Sequence, residues 1–396
     1  MIIRFVIFLF FVLTYAQLWA EGSDSTKAPA FYYGDKGWHL ESADKVYSTD
    51  IQLRLQFRYA YPYDQDPVTL NDVNIEEQHI FRISRARLKI GGHVFSPKFK
   101  YYMEYELSNS NLLDFWGMYS FHKSFKIMVG QYKARYNTER VISSGKQETL
   151  DRSILTRPFT IDRQTGITFL GNLAGEGALN FSYWAAVFSG TGQGDFVADD
   201  SYPMWKGRLQ WNMFGSVMKF VGSDLEKSKS WRGYIAGGLV NNHSQFTRFS
   251  QSGGGQLEGY SDPSLPGQYH ITQFFIESAF KKNGISWQQE FHKKNILDKE
   301  TSNTRTLYGN YMQVGSFPSS YLPSFPSKLE LAFRYAFYIP DSNQTDLKQT
   351  EYTFSTNWFF KEHLNKLTAE VSYFDMDEIL GLNPGWRFRF QWDVSF

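Results

Sequence analysis

The chain ends in Trp386-Arg-Phe-Arg-Phe-Gln-Trp-Asp-Val-Ser-Phe396, a stretch in which apolar and polar residues alternate. Successive side chains of a β-strand point to opposite faces, so this pattern predicts a strand with an aromatic face and a polar face. An α-helix, with about 3.6 residues per turn, would mix the two sets of side chains. The end of the chain therefore predicts β-structure with one apolar surface.

The same alternation recurs along most of the chain. In residues 51–59, apolar side chains at odd positions alternate with polar ones at even positions. Further stretches of this kind cover residues 85–90, 99–107, 205–211 and 329–337. Strands of about 10 to 13 residues suit a tilted membrane-spanning strand, whereas strands of a soluble sandwich usually have about 5 or 6 residues. The pattern favours an all-β transmembrane antiparallel barrel, with a soluble sandwich as the alternative.

The composition supports a membrane barrel. Aromatic residues make up 18% of the chain, with 36 Phe, 25 Tyr and 11 Trp, and membrane barrels place such residues in girdles at the two interfaces. Cysteine is absent, which excludes disulfides, thiolate metal sites and cysteine nucleophiles. Lys plus Arg (41) nearly equals Asp plus Glu (40), so any charge selectivity must come from local arrangement.

The N-terminus has the pattern of a secretory signal peptide. Arg4 precedes an apolar run from Phe5 to Leu13, and the small residue Ala20 precedes an acidic position. The apolar run is shorter than the roughly 20 residues that a spanning helix needs, so we expect cleavage after Ala20 rather than a membrane anchor. The predicted organisation is a signal peptide over residues 1–20, an N-terminal periplasmic segment over 21–46 and a transmembrane β-barrel over 47–396.

Connections between the predicted strands alternate between short and long. Short ones fall near residues 95–98, 122–124, 281–284 and 361–364. Longer polar ones fall near residues 61–79, 135–163, 190–202, 244–269, 295–303, 340–348 and 376–383. Bacterial barrels have short periplasmic turns and longer outer loops, and this parity also requires the long connections 214–230 and 318–326 to be periplasmic. The count is then about 16 strands, enough for an aqueous lumen, and such width implies transport.

Six short motifs follow one another in a recognisable order. They are Ser84–Leu88, Val129–Lys133, Leu150–Ser153, Gly207–Leu209, Gly309–Gln313 and Leu329–Tyr335. Together they resemble the phosphate-selective porin O and P family, although Arg135-Tyr136 stands where Pro-Phe is usual. The resemblance implies a trimeric outer-membrane porin of 16 strands, a third outer loop folded into the lumen, here residues 135–163, and a pore that favours phosphate or polyphosphate.

The last residue predicts the location of the protein. A terminal phenylalanine on an alternating strand resembles the recognition signal for outer-membrane barrel assembly, which assigns that role to Phe396. The expected partners are the barrel-assembly machinery, outer-membrane lipid and lipopolysaccharide, small anions such as phosphate, and two further copies of the chain in a homotrimer. The expected localisation is the bacterial outer membrane.

Basic residues with the parity of the lumen are candidates for an anion path. Closure of the barrel puts the last strand beside the first, which predicts one basic wall of Arg54, Arg58, Arg85, Arg87, Lys89, Arg387 and Arg389. Other candidates are Lys206, Arg208 and Arg334 on strands, and Lys133, Arg135, Arg140 and Arg152 at a constriction. Arginine suits phosphate because its planar fork donates two parallel hydrogen bonds. In the alternative, a general non-selective porin, the arginines pair with lumen acids such as Glu104, Glu106, Glu330, Glu370 and Asp393.

Other classes of function find less support. An enzyme needs a nucleophile or acid beside a histidine, and none of the histidines has such a companion; His79 and His270 are the best placed. The zinc pattern His-Glu-x-x-His is absent, and we expect no catalytic residue, metal or cofactor. A structural or adhesive barrel acting through outer loops is a further alternative, with Gly253–Gly255 as a flexible tip. The balanced charge gives no support for nucleic-acid binding.

Overall fold

The computed structural model describes residues 29–66, 78–194, 197–250, 253–376 and 385–396. The predicted signal peptide, its cleavage site after Ala20 and the start of the predicted periplasmic segment lie outside the described residues. Parts of the predicted outer loops 61–79 and 376–383 also lie outside them. In the ranges that are described, no α-helix has the length and hydropathy needed to cross a membrane.

Antiparallel strands dominate the chain. They are β1 Ala30–Gly34, β2 Gly37–Glu41, β3 Ser48–Tyr61, β4 Ile80–Val94, β5 Ser96–Glu106, β6 Asn111–His122, β7 Phe125–Lys133, β8 Arg163–Ala174, β9 Asn180–Phe188, β10 Met204–Trp211, β11 Arg232–Ser244, β12 Arg248–Ser250, β13 Gly253–Gly255, β14 Tyr269–Lys282, β15 Ile285–Asp298, β16 Thr304–Ser316, β17 Leu329–Ile339, β18 Gln349–Lys361, β19 Asn365–Met376 and β20 Gly385–Ser395. Strands β3 to β11 and β14 to β20 form a closed barrel of sixteen strands, which confirms the predicted fold class. Strands β12 and β13 form a separate hairpin within a loop.

The alternation of β20 separates the two surfaces of the barrel. The aromatic side chains are outward, with Trp386 56% and Phe388 49% exposed, whereas Arg387 is 0% and Arg389 3% exposed. Hydrogen bonds join β20 to β19 on one side and to β3 on the other, so the last and first barrel strands meet at a closure seam. The predicted parity and the predicted seam are both confirmed.

The connections follow the predicted parity. The long connections 212–231 and 317–328 join the same ends of neighbouring strands as the short turns 123–124 and 283–284. A short connection at 107–110, missing from the predicted outer loops, is the second connection at the opposite end. Residues 134–162 therefore form the third connection at that end, which we call L3.

A hairpin precedes the barrel within the segment predicted to be polar and periplasmic. Strands β1 and β2 pair with each other, and β2 pairs with the start of β3 over Ser48–Ile51. The C-terminus lies directly beside this pairing, because the Phe396 N–H donates to the Leu53 carbonyl at 2.9 Å and the Leu53 N–H donates back at 2.7 Å. The hairpin thus continues the edge of β3 beyond the end of β20.

Loop L3 contains little regular structure. It holds two one-turn helices, α1 Thr138–Val141 and α2 Thr156–Phe159, and a 3-10 turn at Ser144–Lys146. Two further 3-10 turns lie elsewhere in connections, at Pro318–Ser320 and Thr345–Leu347. Most L3 side chains are buried although the loop is rich in charge, so its polar groups need partners inside the barrel.

Candidate functional site

Inward-facing glutamates of the barrel hold the backbone of L3. Four backbone N–H groups donate to them: Thr138 to Glu277 (2.8 Å), Glu139 to Glu290 (2.6 Å), Leu150 to Glu370 (2.8 Å) and Ile154 to Glu351 (2.9 Å). Hydrogen bonds to a carboxylate are roughly twice as strong as neutral ones, so each contact fixes part of a loop that lacks a ladder of its own. These contacts place L3 against the inner face of β14, β15, β18 and β19.

The predicted basic wall exists as an arrangement of strands. Arg54 and Arg58 lie on β3, Arg85 and Arg87 on β4, and Arg387 and Arg389 on β20. Arg54 stands directly opposite Arg87 in the register of β3 with β4, and all six side chains are buried on the inner side. Lys89 continues the row on β4 and is half-buried.

All six guanidinium groups of this wall are paired with carboxylates. The salt bridges of the predicted strand and loop arginines include Arg54–Asp393 (2.7 Å), Arg58–Asp64 (2.9 Å), Arg85–Asp151 (3.0 Å), Arg87–Glu104 (2.6 Å), Arg87–Glu106 (2.7 Å), Arg387–Asp66 (2.8 Å), Arg389–Glu370, Arg208–Glu277 (2.6 Å), Arg334–Glu351 and Arg140–Asp162. A buried charge is costly unless it is paired, which is the physical reason for the pairing. Glu330 differs from the other lumen acids that were expected to pair, because it accepts from Ser223 and Asn357 instead.

Two predicted anion-path residues are buried and form no salt bridge within the described ranges. Arg152 donates to the carbonyl oxygens of Glu139 (3.0 Å) and Ile142 (2.8 Å), so it holds the two halves of L3 together. Lys206 is buried on β10, and its Nζ has no hydrogen-bond partner among the described residues.

Burial and neighbouring charge act differently on two carboxylates of L3. Burial raises the pKa of Glu139 to about 7, against the opposing effect of the Arg334 guanidinium. Burial acts in the same direction on Asp162, but Arg140 and Arg163 hold the pKa of that carboxyl below its usual range. Asp162 therefore remains charged at neutral pH, whereas Glu139 is close to its midpoint of titration.

A water-accessible cavity of about 950 Å³ lies beside L3 on the side of the short turns. Its walls come from β3 to β7, the N-terminal hairpin and L3. Seven lysine and arginine side chains line it, of which Lys36 and Arg54 form salt bridges with Asp50 and Asp393. Among the others are four that we call the cavity cations, and none of these forms a salt bridge with a carboxylate of the described residues: Lys89, Lys133, Arg135 and Lys146.

Three of the five acids that line the same cavity are already paired, whereas Asp35 and Glu41 form no salt bridge within the described ranges. Glu104 is bound by Arg87 at 2.6 Å and Asp114 by Arg163 at 3.1 Å. Asp50 is bound by His39 at 2.6 Å. The unpaired cavity cations outnumber these two unpaired acids, so the cavity has an excess of unpaired positive charge, although the whole chain is nearly neutral.

A histidine pair lies on the outward face, away from the lumen. His243 and His270 are cross-strand neighbours whose rings stack at 3.7 Å with 6° between their planes. Asp200 accepts from His243 at 3.0 Å and from Lys299 at 3.2 Å, and the three potential metal-ligand atoms lie within 4.8 Å of one another. A metal ion lies in the plane of each imidazole that binds it, so one ion cannot be bound by two parallel stacked rings.

The fold and the lumen together define a class of protein. A closed sixteen-stranded barrel with an aromatic outer face and a charged inner face is an outer-membrane porin. Over residues 51–379 the sequence matches the family described as phosphate-selective porin O and P, and the chain belongs to that family. Its localisation is the bacterial outer membrane. Both the family and the fold indicate a channel rather than an enzyme.

Solved porins share the fold at low sequence identity. The anion-selective porin from Comamonas acidovorans is 10% identical, with a TM-score of 0.57 over 88% of this chain and 99% of that chain. The outer-membrane channel DcaP of Acinetobacter baumannii is also 10% identical, with a TM-score of 0.55 over 88% of this chain and 97% of that chain. No curated protein sequence matches this chain.

Proposed function

We propose that this porin is a passive diffusion channel for small hydrophilic solutes that favours small anions such as phosphate. The observation that carries the proposal is the set of cavity cations, because they face water without a carboxylate partner. Uncompensated positive charge on a narrow aqueous path raises the local concentration of anions and lowers that of cations. The proposed path passes Lys89, Lys133 and Arg135.

The paired arginines have a different role in this proposal. A guanidinium that is held by a carboxylate contributes little net potential, so Arg54, Arg87 and Arg389 shape the lumen more than they charge it. The proposed anion path is therefore smaller than the predicted one: it follows the cavity cations beside L3 and not the whole basic wall. This distinction also separates the proposal from a general porin, in which every lumen cation would be compensated.

The assembly of the channel is part of the same proposal. Phe396 is 43% exposed on the outward face and stands at the closure seam, where a terminal recognition signal for the barrel-assembly machinery would be accessible before closure. We propose a homotrimer embedded in outer-membrane lipid and lipopolysaccharide. We also propose that transport makes and breaks no covalent bond.

Competition between phosphate and chloride tests this function. In planar bilayers at constant chloride and neutral pH, added phosphate should reduce the chloride current of single channels in a saturable way. Gluconate, a bulky anion of lower charge, is the control and should reduce it much less. A chloride current that phosphate leaves unchanged contradicts the proposal, and a protein that inserts without any current indicates a structural or adhesive barrel.

A further inference from the structure

Three arginines of the wall converge on a single carboxylate of L3. Asp151 Oδ2 accepts from Arg58 Nη1 at 2.6 Å and from Arg389 Nη1 at 2.9 Å, and Asp151 Oδ1 accepts from Arg85 Nη2 at 3.0 Å. The three arginines come from three adjacent strands, β3, β20 and β4. An arginine fork suits an oxyanion because its donors are planar and fixed. The arrangement is that of an oxyanion site with a side chain in the place of the ligand.

Exposure distinguishes the carboxylate from the groups that surround it. The Asp151 side chain is 24% exposed, whereas those of Arg58, Arg85 and Arg389 are 1%, 6% and 1% exposed. Asp151 is therefore the member of the cluster that water and solutes can reach. The three arginines are buried against the barrel wall. An anion that entered the lumen could therefore contact them only at the position that Asp151 occupies.

The arginines have more donors than Asp151 can satisfy. Arg58 Nη2 is buried and has no hydrogen-bond partner within the described part of the chain. Arg85 has no salt bridge to another described carboxylate, while Arg58 also contacts Asp64 at 2.9 Å and Arg389 also contacts Glu370. A carboxylate offers two oxygens, but a tetrahedral oxyanion such as phosphate or sulfate offers four and can use the spare donor.

Protonation of Asp151 does not release its side chain from the three arginines. Burial alone would raise the pKa of Asp151, but Arg58, Arg85 and Arg389 hold it well below the usual range of an aspartate. The carboxylate therefore stays ionised at neutral and mildly acidic pH, and only another anion can take its place.

We propose that Arg58, Arg85 and Arg389 form an oxyanion-binding site that Asp151 occupies as an internal ligand, and that a tetrahedral oxyanion competes with Asp151 for this site. The proposal rests on the proposed function, since the oxyanion reaches the site along the anion path. Three unscreened arginines would bind phosphate too tightly for transport, because conduction requires that an ion can leave its sites. Asp151 lowers the affinity of the site for the oxyanion. Because Asp151 belongs to L3, binding of the oxyanion is also linked to the position of L3.

Removal of the internal ligand tests the site. Asp151→Asn keeps the shape of the side chain and removes its charge, so the folded porin should bind phosphate and sulfate at least roughly tenfold more tightly than the wild type in titration calorimetry, with acetate gaining less. Adding Arg85→Met to Asp151→Asn should remove most of the gain. Asp114→Asn, which removes one of the two carboxylates that pair with Arg163, is the matched control and should produce no comparable gain.

Several outcomes overturn the proposal. Unchanged or weaker phosphate binding by Asp151→Asn shows that Asp151 only tethers L3, and a gain that survives Arg85→Met places the binding elsewhere. If Asp151→Asn does not fold in chloride buffer, phosphate must restore folding, because a ligand that binds only the folded state stabilises it; failure to do so also overturns the proposal. Calorimetry does not depend on ion flow, so the two proposals can fail separately. If the wild-type channel is cation-selective but Asp151→Asn binds phosphate more tightly, the proposed function is refuted and the oxyanion site is not.

Discussion

Replacing Lys89, Lys133 and Arg135 together by glutamine removes most of the anion preference of the channel. A unit charge about 7 Å from a permeating ion in water is worth about 0.6 kcal/mol, so three charges give roughly 2 kcal/mol before screening. At an ionic strength of about 0.1 M, screening over a Debye length of about 10 Å reduces this, and we expect the ratio of chloride to potassium permeability to fall by roughly tenfold. The measurement is the reversal potential in a potassium chloride gradient.

The matched control removes the same charge away from the cavity. Lys123, Lys229 and Lys328 are exposed residues in turns or connections and do not line the cavity, so their joint replacement by glutamine should leave the reversal potential almost unchanged. The effect of the cavity variant should also grow as the salt concentration is lowered. Equal shifts in the two triple variants would show that the total charge of the protein sets the selectivity, and would contradict the assignment to the cavity.

Asp393→Asn should destabilise the barrel by about 3–5 kcal/mol, because it leaves the buried Arg54 guanidinium without a charge partner. Arg54 and Asp393 are 2% and 1% exposed, and two hydrogen bonds of 3.0 and 2.7 Å join them across the closure seam. The free energy of unfolding can be measured in lipid vesicles from tryptophan fluorescence during urea titration.

Two further variants test whether the loss of stability in Asp393→Asn comes from an unpaired buried charge. Arg54→Met with Asp393→Leu removes both charges and should recover most of the stability, since replacement of a whole buried pair by apolar residues is close to neutral. Glu226→Gln breaks an exposed salt bridge with Arg232, whose partners are 56% and 45% exposed, and should cost less than about 1 kcal/mol. A loss in Asp393→Asn no larger than in Glu226→Gln would show that the seam pair is solvated by lumen water.

The strands could be predicted because their signal is local. In β20, four alternating aromatics from Trp386 to Trp392 face outward, and a slip of one residue would exchange the surfaces along the whole strand. The same parity placed Arg54 and Arg389 on the inner face and on neighbouring strands. Closure of the barrel then needs no further information, because an open edge would leave unpaired backbone groups in lipid.

The partners inside the lumen could not be predicted from local patterns. Arg54 and Asp393 are 339 positions apart in the sequence, and Asp151, which three arginines share, belongs to a loop without periodicity. The conformation of L3 depends on glutamates such as Glu277 and Glu290, which the strand pattern identifies only as inward-facing. The N-terminal hairpin was missed because its strands have only five residues each.

The reversal potential of the wild-type channel tests the central claim most directly. In a potassium chloride gradient across a planar bilayer, unpaired cavity cations predict a reversal potential displaced towards the chloride equilibrium potential. Replacing chloride by phosphate on the dilute side should change this potential, because it then depends on the permeability of the channel to phosphate relative to chloride. A reversal potential at zero, or displaced towards the potassium equilibrium potential, would contradict the account.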